Sequence, residues 1–413
     1  MKIGIFSDLH LGKRQYGLEE RENDFYNQYD SAIDTFINNN VNAVICAGDL
    51  FDIPRPSPKT LGRFVQGLNK LFDSKIPFIN VIGNHSMIQS PNFVTADKLI
   101  DDIVNTDLYI LLDKEKQYDK NDVHICGLPY FFNYEIDEFK KSVYDLNNSM
   151  SDKNGYRILV LHQSFKEYCG FSGEELSIYD LDFSNFDLII SGHIHEKLLT
   201  QIDDDTVFLQ PGSLERCNVA EARDEENQGK GVYIIDTDNI DDAYAIANGF
   251  IPLKSNRKFI IADMYMKKNE DINNIENEIC SYINNFDVPP VLFLSVHDVS
   301  NSFPALIDLT KDLKKKFLTV NFNYFDENTD FDVEIIGDAN DIPTPREALK
   351  IALNPLDEEE RALGLDLYDS LKDGKDVSEM LDNFFEDRRA KEVIDVTPYD
   401  DNELDDIIQW VNK

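Results

Sequence analysis

Five of the seven histidines in this chain sit in short polar stretches that directly follow apolar runs. Asp8 and His10 lie in SDLHLG after IGIF, and Asp49 lies in CAGDLFD after AVIC. Asn84 and His85 lie in IGNHS after FINV, His162 in LHQ after ILVL, and His193 and His195 in SGHIHE after LII. A lone histidine at a strand end is usually structural. Five of them, joined by two aspartates and an asparagine at equivalent places, point to one shared site. In extended chain, residues i and i+2 point the same way. Asp8 with His10, and His193 with His195, are therefore each expected to aim both side chains into that site. The donors are oxygen and imidazole, without thiolate. Such a set disfavours structural zinc and suits manganese, iron or magnesium. Two ions about 3.5–4 Å apart, bridged by one carboxylate, activate a water and neutralise a phosphoryl oxygen in an in-line displacement. The chemistry expected is phosphoester hydrolysis. The remaining histidines, His124 and His297, fall inside apolar strand patterns.

These residues need strands to end where they do. Apolar runs at Lys2–Phe6, Ala43–Cys46, Phe78–Ile82, Val123–Cys126, Ile158–Leu161, Leu188–Ser191, Val207–Gln210 and Val232–Asp236 read as strands. Helical patterns such as Phe25–Asn38 and Thr60–Phe72 lie between them. The alternation predicts an α/β sandwich over residues 1–245, with chemistry carried on loops at strand ends. Residues 254–337 begin with RKFIIADMYM and continue strand–helix–strand–helix–strand, which predicts a small α/β domain. Residues 338–413 form an acidic tail of short amphipathic helices. Thr344, Pro345 and Glu347 make a capping box with proline at the first helical position. Leu404, Ile407, Ile408 and Val411 repeat at helical spacing. So little local core suits docking on another protein better than folding onto the body of the chain.

Composition narrows the class. The chain has 413 residues, 42% hydrophobic, enough for a large core and two or three domains. Cys46, Cys126, Cys169, Cys217 and Cys280 are scattered without a CxxC pair, so they read as small buried thiols rather than a disulfide frame. No signal-peptide layout or membrane-length apolar run occurs, and an intracellular, cytoplasmic protein is expected. The formal net charge is −38. Such a field repels nucleic acid at long range and favours divalent cations. Any polyanionic substrate needs a local basic path, metal ions or a positively charged partner.

The ordered set D-x-H, GD, GNH, H and GH-x-H resembles the calcineurin-like metallophosphoesterases. The wording around it narrows the likeness. SDLHLG, GDLFDIPRPSP, GNH, PGSLER at Pro211–Arg216 and GKGVYIID resemble the SbcD-type nuclease subunit, which works with an SMC-like ATPase of the SbcC type in double-strand-break repair. The resemblance implies a four-layer metallophosphoesterase β-sandwich flanked by helices. It also implies a DNA-capping domain at 254–337 and an ATPase-binding role for the tail. Carried over by position, Asp8, His10, Asp49 and His195 hold one ion. Asp49 bridges to a second held by Asn84, His162 and His193, with Mn2+ expected and Mg2+ an alternative. His85 matches the catalytic histidine that serves the leaving oxygen; its other reading is as an orienter of a metal ligand. Two positions depart from the usual pattern. Ser86 stands where an acidic residue usually follows GNH, and Asp52 stands where some members have histidine.

For DNA, Lys13, Arg14, Arg55, Lys59 and Lys258 are candidate phosphate contacts near the motifs, each equally readable as a solvated cation. Arg216 reads as structural. The apolar stripes Leu61/Phe64/Val65/Leu68 and Leu99/Ile100/Ile103 are where the resemblance implies a homodimer; core packing explains them nearly as well. The expected function is a metal-dependent DNA nuclease, with double-strand exonuclease and single-strand endonuclease activities implied by the resemblance. Two alternatives stand beside it. One is a phosphatase or phosphodiesterase for small molecules or phosphoproteins, and the other is a non-catalytic scaffold for the ATPase.

Overall fold

In a computed structural model, the described residues are 1–335, apart from 88–94, 105, 170–175, 220, 222–228, 240–242, 255–256, 267–276, 278, 282–285, 287, 299–308 and 327–331. The acidic tail, with its expected helices, lies outside them. The chain divides into two compact units, Met1–Ile260 with Asn285–Val291, and Ile261–Asn284 with Leu292–Lys413.

Among the described residues, the first unit runs β1 (Lys2–Phe6), α1 (Glu19–Asn38), β2 (Ala43–Cys46), α2 (Pro58–Asp73), β3 (Phe78–Asn80), α3 (Ala96–Val104) and β4 (Tyr109–Leu111). It continues β5 (Tyr118–Lys120), β6 (Val123–Gly127), α4 (Ile136–Met150), β7 (Tyr156–His162), β8 (Leu188–Gly192), β9 (Leu198–Gln201), β10 (Val207–Gln210), β11 (Gly231–Asp236), α5 (Ala243–Asn248) and β12 (Phe250–Pro252). The strands form two six-stranded sheets, ordered β12-β11-β1-β2-β3-β4 and β5-β6-β7-β8-β10-β9. Strands β1 to β4 are parallel, as are β6, β7, β8 and β10. The antiparallel edge strands β5, β9 and β12, and the last parallel edge β4, were not anticipated. They are only three or four residues long, and β5 and β9 are partly exposed, so their apolar pattern is weak.

The central strands are buried on both faces, which explains their nearly continuous apolar sequences. Ile3, Ile5, Ile45, Ile79, Ile158, Val160, Ile190 and Leu209 fill the layer between the sheets. On the outer face of the first sheet, Phe6, Val44 and Phe78 pack against Tyr29 and Phe36 of α1 and Phe64 and Leu68 of α2. On the outer face of the second, Leu159, Leu161 and Ile189 pack against Phe139, Val143 and Leu146 of α4. Helix, sheet, sheet, helix is the α/β sandwich that the sequence alternation predicts, in the four-layer form that the family resemblance implies. Ser57 caps α2 through the Thr60 backbone N–H, and Pro58 occupies its first turn.

The second unit carries a four-stranded sheet ordered β13 (Phe259–Met266), β14 (Val291–Asp298), β15 (Thr319–Asp326) and β16 (Asp332–Ile335). Alternate residues Leu292, Leu294 and Val296 of β14 are buried. Strand β16 pairs antiparallel with β15 and was not anticipated. The helix expected at 272–284 falls largely outside the described residues, whereas within the one expected at 305–317 the described residues 309–313 are helical and 314–316 form a turn.

Candidate metal centre

The parallel strands of both sheets end at the same rim. Asp8 follows β1, Asp49 follows β2, Asn84 and His85 follow β3, His162 closes β7, and His193 follows β8. Loops outside the carboxyl ends of parallel strands are the usual place for ligands in α/β folds. The extended geometry expected for the two spaced pairs does not hold. Asp8, His10, Asp49 and His193 have φ of 51°, 44°, 49° and 85°, in the left-handed region. Each chain turns sharply off its strand, tied by Asp8 N–H to the Gly48 carbonyl at 3.2 Å and His10 N–H to the Asp49 carbonyl at 3.1 Å. Non-glycine residues there cost conformational energy and cluster at functional sites.

The side chains form two groups that share Asp49. In one, donor atoms of Asp8, His10 and Asp49 lie within 4.8 Å of one another. His195 joins this group, its Nε2 standing 3.0 Å from His10 Nε2 and 4.0 Å from Asp8 Oδ1. In the other, Asp49, His162 and His193 gather within the same limit. Asn84 Oδ1 lies 3.0 Å from His162 Nε2 and 2.8 Å from His193 Nδ1. The two histidines of GHIH therefore serve different groups. Asp8 and Asp49 are 0% and 2% exposed, and His10 and His162 are 1% exposed. Buried carboxylates ringed by imidazole nitrogens are a costly arrangement without positive charge between them. Close backbone approach adds to this cradle. A Cβ on Gly83 would collide with the Asp49 carboxylate, and one on Gly48 with the His162 ring. The residues fit a pair of divalent cations.

Burial opposes charge on Asp49, but His162 and His10 beside it hold its carboxyl well below the usual carboxylate range. Burial also works to depress His162, yet Asp49 and Asp8 outweigh it and push it up to about 9. His193 is pulled down to about 4 by burial and by the neighbouring His162. The imidazoles are locked in orientation by groups behind them. His162 Nδ1 donates to the Ala47 carbonyl at 2.6 Å, and His195 Nδ1 faces Glu221 Oε1 at 3.0 Å. Such outer partners fix tautomer and ring orientation in metal sites.

Glu221 had no motif to reveal it. It also accepts from Cys217 N–H, the Ser213 hydroxyl and the Asn218 amide, and pairs with Lys230 Nζ at 2.7 Å. Cys217, expected as an inert buried thiol, stands instead beside the centre, its sulfur within 4.8 Å of His10 and His195 donors. Asp52 is no loose surface acid. It accepts from Lys13 Nζ at 2.8 Å and lies 3.5 Å from His10 Nδ1. Burial resists its charge, but His10 and Lys13 pull it down to about 2. Behind Ser86, where a carboxylate was missing from the expected pattern, sits the fully buried Asp97, bonded to Asn80 Nδ2 at 3.0 Å.

His85 differs from the other imidazoles of the rim. Its side chain is 36% exposed, and its Nδ1 donates to the Asp52 carbonyl at 2.7 Å. That bond engages Nδ1 and leaves Nε2 as the remaining ring nitrogen. The candidate DNA contacts are dispersed in character. Arg14, Arg55 and Lys59 are exposed and Lys258 is half-buried. Lys13 is bound to Asp52, and Lys59 stands between Glu19 and Glu22 at 3.2 and 3.5 Å. Arg216 is buried, its guanidinium over the Phe259 ring. On α2 and α3, Phe64, Leu68 and Ile100 belong to the core, whereas Leu61, Val65, Leu99 and Ile103 are half-buried.

A four-layer sandwich with this ligand rim defines a calcineurin-like phosphoesterase, and that family matches residues 1–197. The DNA double-strand break repair protein Mre11 of Methanococcus maripaludis is 31% identical over 304 residues, covering 72% of this chain and 80% of that protein. Mre11 of Saccharolobus solfataricus is 31% identical over 240 residues, covering 57% and 60%. Mre11 of Methanocaldococcus jannaschii is 29% identical over 337 residues, covering 79% and 85%. The chain belongs to the Mre11 family.

Proposed function

We propose that this protein is a metal-dependent DNA nuclease that processes ends in double-strand-break repair. The observation that carries the reading is the convergence of Asp8, His10, Asp49, Asn84, His85, His162, His193 and His195 at one rim. Asp8, His10, Asp49 and His195 would hold one cation; Asp49, Asn84, His162 and His193 would hold the other. Four imidazole donors favour manganese over magnesium, which prefers all-oxygen shells. When bound, two such cations supply the Lewis acidity that activates water and neutralises phosphoryl charge.

The chain's own residues do the rest. Buried Asp8 and Asp49 fix the centre's charge, and Ala47 and Glu221 hold the imidazoles in place. His85, anchored through Nδ1, offers a proton from Nε2 to the leaving sugar oxygen. Lys13, Arg14, Arg55, Lys59 and Lys258 are assigned to the DNA backbone, which they would contact without reading sequence. Both exonuclease action on duplex ends and endonuclease action on single strands belong to this reading. The half-buried apolar residues of α2 and α3 support a homodimer. The acidic tail is assigned to an SMC-like ATPase of the SbcC type, and residues 254–337 to capping DNA. A cytoplasmic location belongs to this reading. Among the described residues no helix is long and apolar enough to cross a membrane.

The test sets linear duplex DNA beside a generic phosphodiester, each with manganese. Cleavage of both is expected. A His85→Ser variant should bind manganese normally and lose roughly 10²- to 10⁴-fold in DNA cleavage. Hydrolysis of the generic diester with no action on DNA would refute the nuclease reading. Undiminished cleavage by the variant would refute the role of His85.

A further inference from the structure

An aromatic ladder leads away from the metal centre. The Tyr130 ring lies 5.4 Å from the His193 ring, tilted by 38°. Phe132 stands edge-on to Tyr130 at 5.3 Å. Tyr134 stacks on Phe132 at 5.4 Å with the planes only 5° apart. The outermost ring, Tyr134, is 72% exposed. Three rings thus step from a candidate metal ligand out to solvent.

The backbone beneath them is fixed. Tyr130 N–H donates to the Ile82 carbonyl at 2.8 Å, and Leu128 N–H to the Val160 carbonyl at 3.0 Å. Phe131 points the other way, into the core against Phe139 at 5.5 Å. Phe132 and Tyr134 are not part of that core. Glu135 accepts from Phe132 N–H at 3.0 Å, closing the turn into α4. Core packing accounts for Phe131, whereas it gives no reason for the parallel stacking of half-buried Phe132 on exposed Tyr134.

We propose that Tyr130, Phe132 and Tyr134 form a stacking platform for unpaired bases of a single DNA strand, delivering its backbone to the metal centre. The assignment rests on the nuclease reading above. Every base presents a π-face, so stacking is tolerant of sequence, as end processing requires. It is also short-ranged. A protein with a formal charge of −38 gains little from long-range attraction of a polyanion, so contact must supply the affinity. The platform adjoins the centre directly, through Tyr130 on His193.

The test measures binding of a single-stranded oligonucleotide carrying 2-aminopurine, with calcium replacing manganese to hold off cleavage. Tyr134→Ala should weaken binding roughly 5- to 150-fold, the range set by stacking of one base on an aromatic ring. Tyr134→Trp should restore it. An abasic oligonucleotide should bind wild type and Tyr134→Ala alike. Undiminished binding by Tyr134→Ala, or an equal loss with the abasic strand, overturns the platform. If duplex DNA is still cleaved in that case, the nuclease reading survives. If the wild type neither cleaves nor binds DNA, both fall together.

Discussion

Glu221→Gln is a near-isosteric change with two separable consequences. Glu221 and Lys230 have side chains 1% and 3% exposed, and they pair at 2.7 Å. Removing one charge from a buried pair leaves the other uncompensated, at a cost of about 3–5 kcal/mol when the partner is lost outright. The amide retains some of the five contacts of Glu221, so the low end of that range is expected. The same change deprives His195 of the carboxylate 3.0 Å from its Nδ1. Loss of such an outer partner lowers metal affinity about 10- to 100-fold. A second substitution separates the effects. Glu221→Gln with Lys230→Met removes the stranded cation, so stability should largely return while manganese affinity stays low. Denaturant midpoints report the first quantity and calorimetric manganese titration the second. If the double variant binds manganese like the wild type, Glu221 has no positioning role for His195. If Glu221→Gln alone leaves both quantities unchanged, the buried pair itself has been misjudged.

Two further outcomes follow from buried groups near the centre. Burial pushes the Asp97 carboxyl up to about 6, above the ordinary carboxylate range. A raised acid stabilises the fold below its unfolded pKa and loses that contribution as pH rises through the folded value. That contribution should therefore fall by about 2 kcal/mol between pH 4 and 7, and Asp97→Asn should flatten that fall. Parallel denaturation of both proteins at pH 5 and 7.5 checks this; a stability difference that does not change with pH refutes it. Gly83→Ala forces a methyl group against the Asp49 carboxylate, and overpacking of this kind costs about 1–3 kcal/mol. Manganese titration should show affinity reduced at least tenfold, and unchanged affinity would mean the loop yields freely.

Much of this architecture is legible in the sequence because the central strands are buried on both faces. Continuous apolar runs give β1, β2 and β10 with their ends in place, and the polar residues just beyond those runs mark the rim. Short edge strands such as β5, with its pattern Tyr-Asp-Lys, carry no such signal. Sequence spacing placed Asp8 and His10 on one extended face, whereas the backbone turns left-handed at both. Periodicity reports repeated geometry, and a single turn at a strand end has none. Glu221 and Cys217 are invisible for a related reason: what matters about them is proximity to His195, some twenty residues away in the chain.

Those left-handed turns set what can be borrowed from this centre. A protein engineer transplanting Asp8, His10, Asp49 and His193 onto the regular strands of another scaffold would copy the donors and lose their aim. Aspartate and asparagine tolerate this backbone region better than longer or β-branched residues do. Lengthening an aspartate to glutamate would therefore shift the donor and strain the main chain in the same stroke.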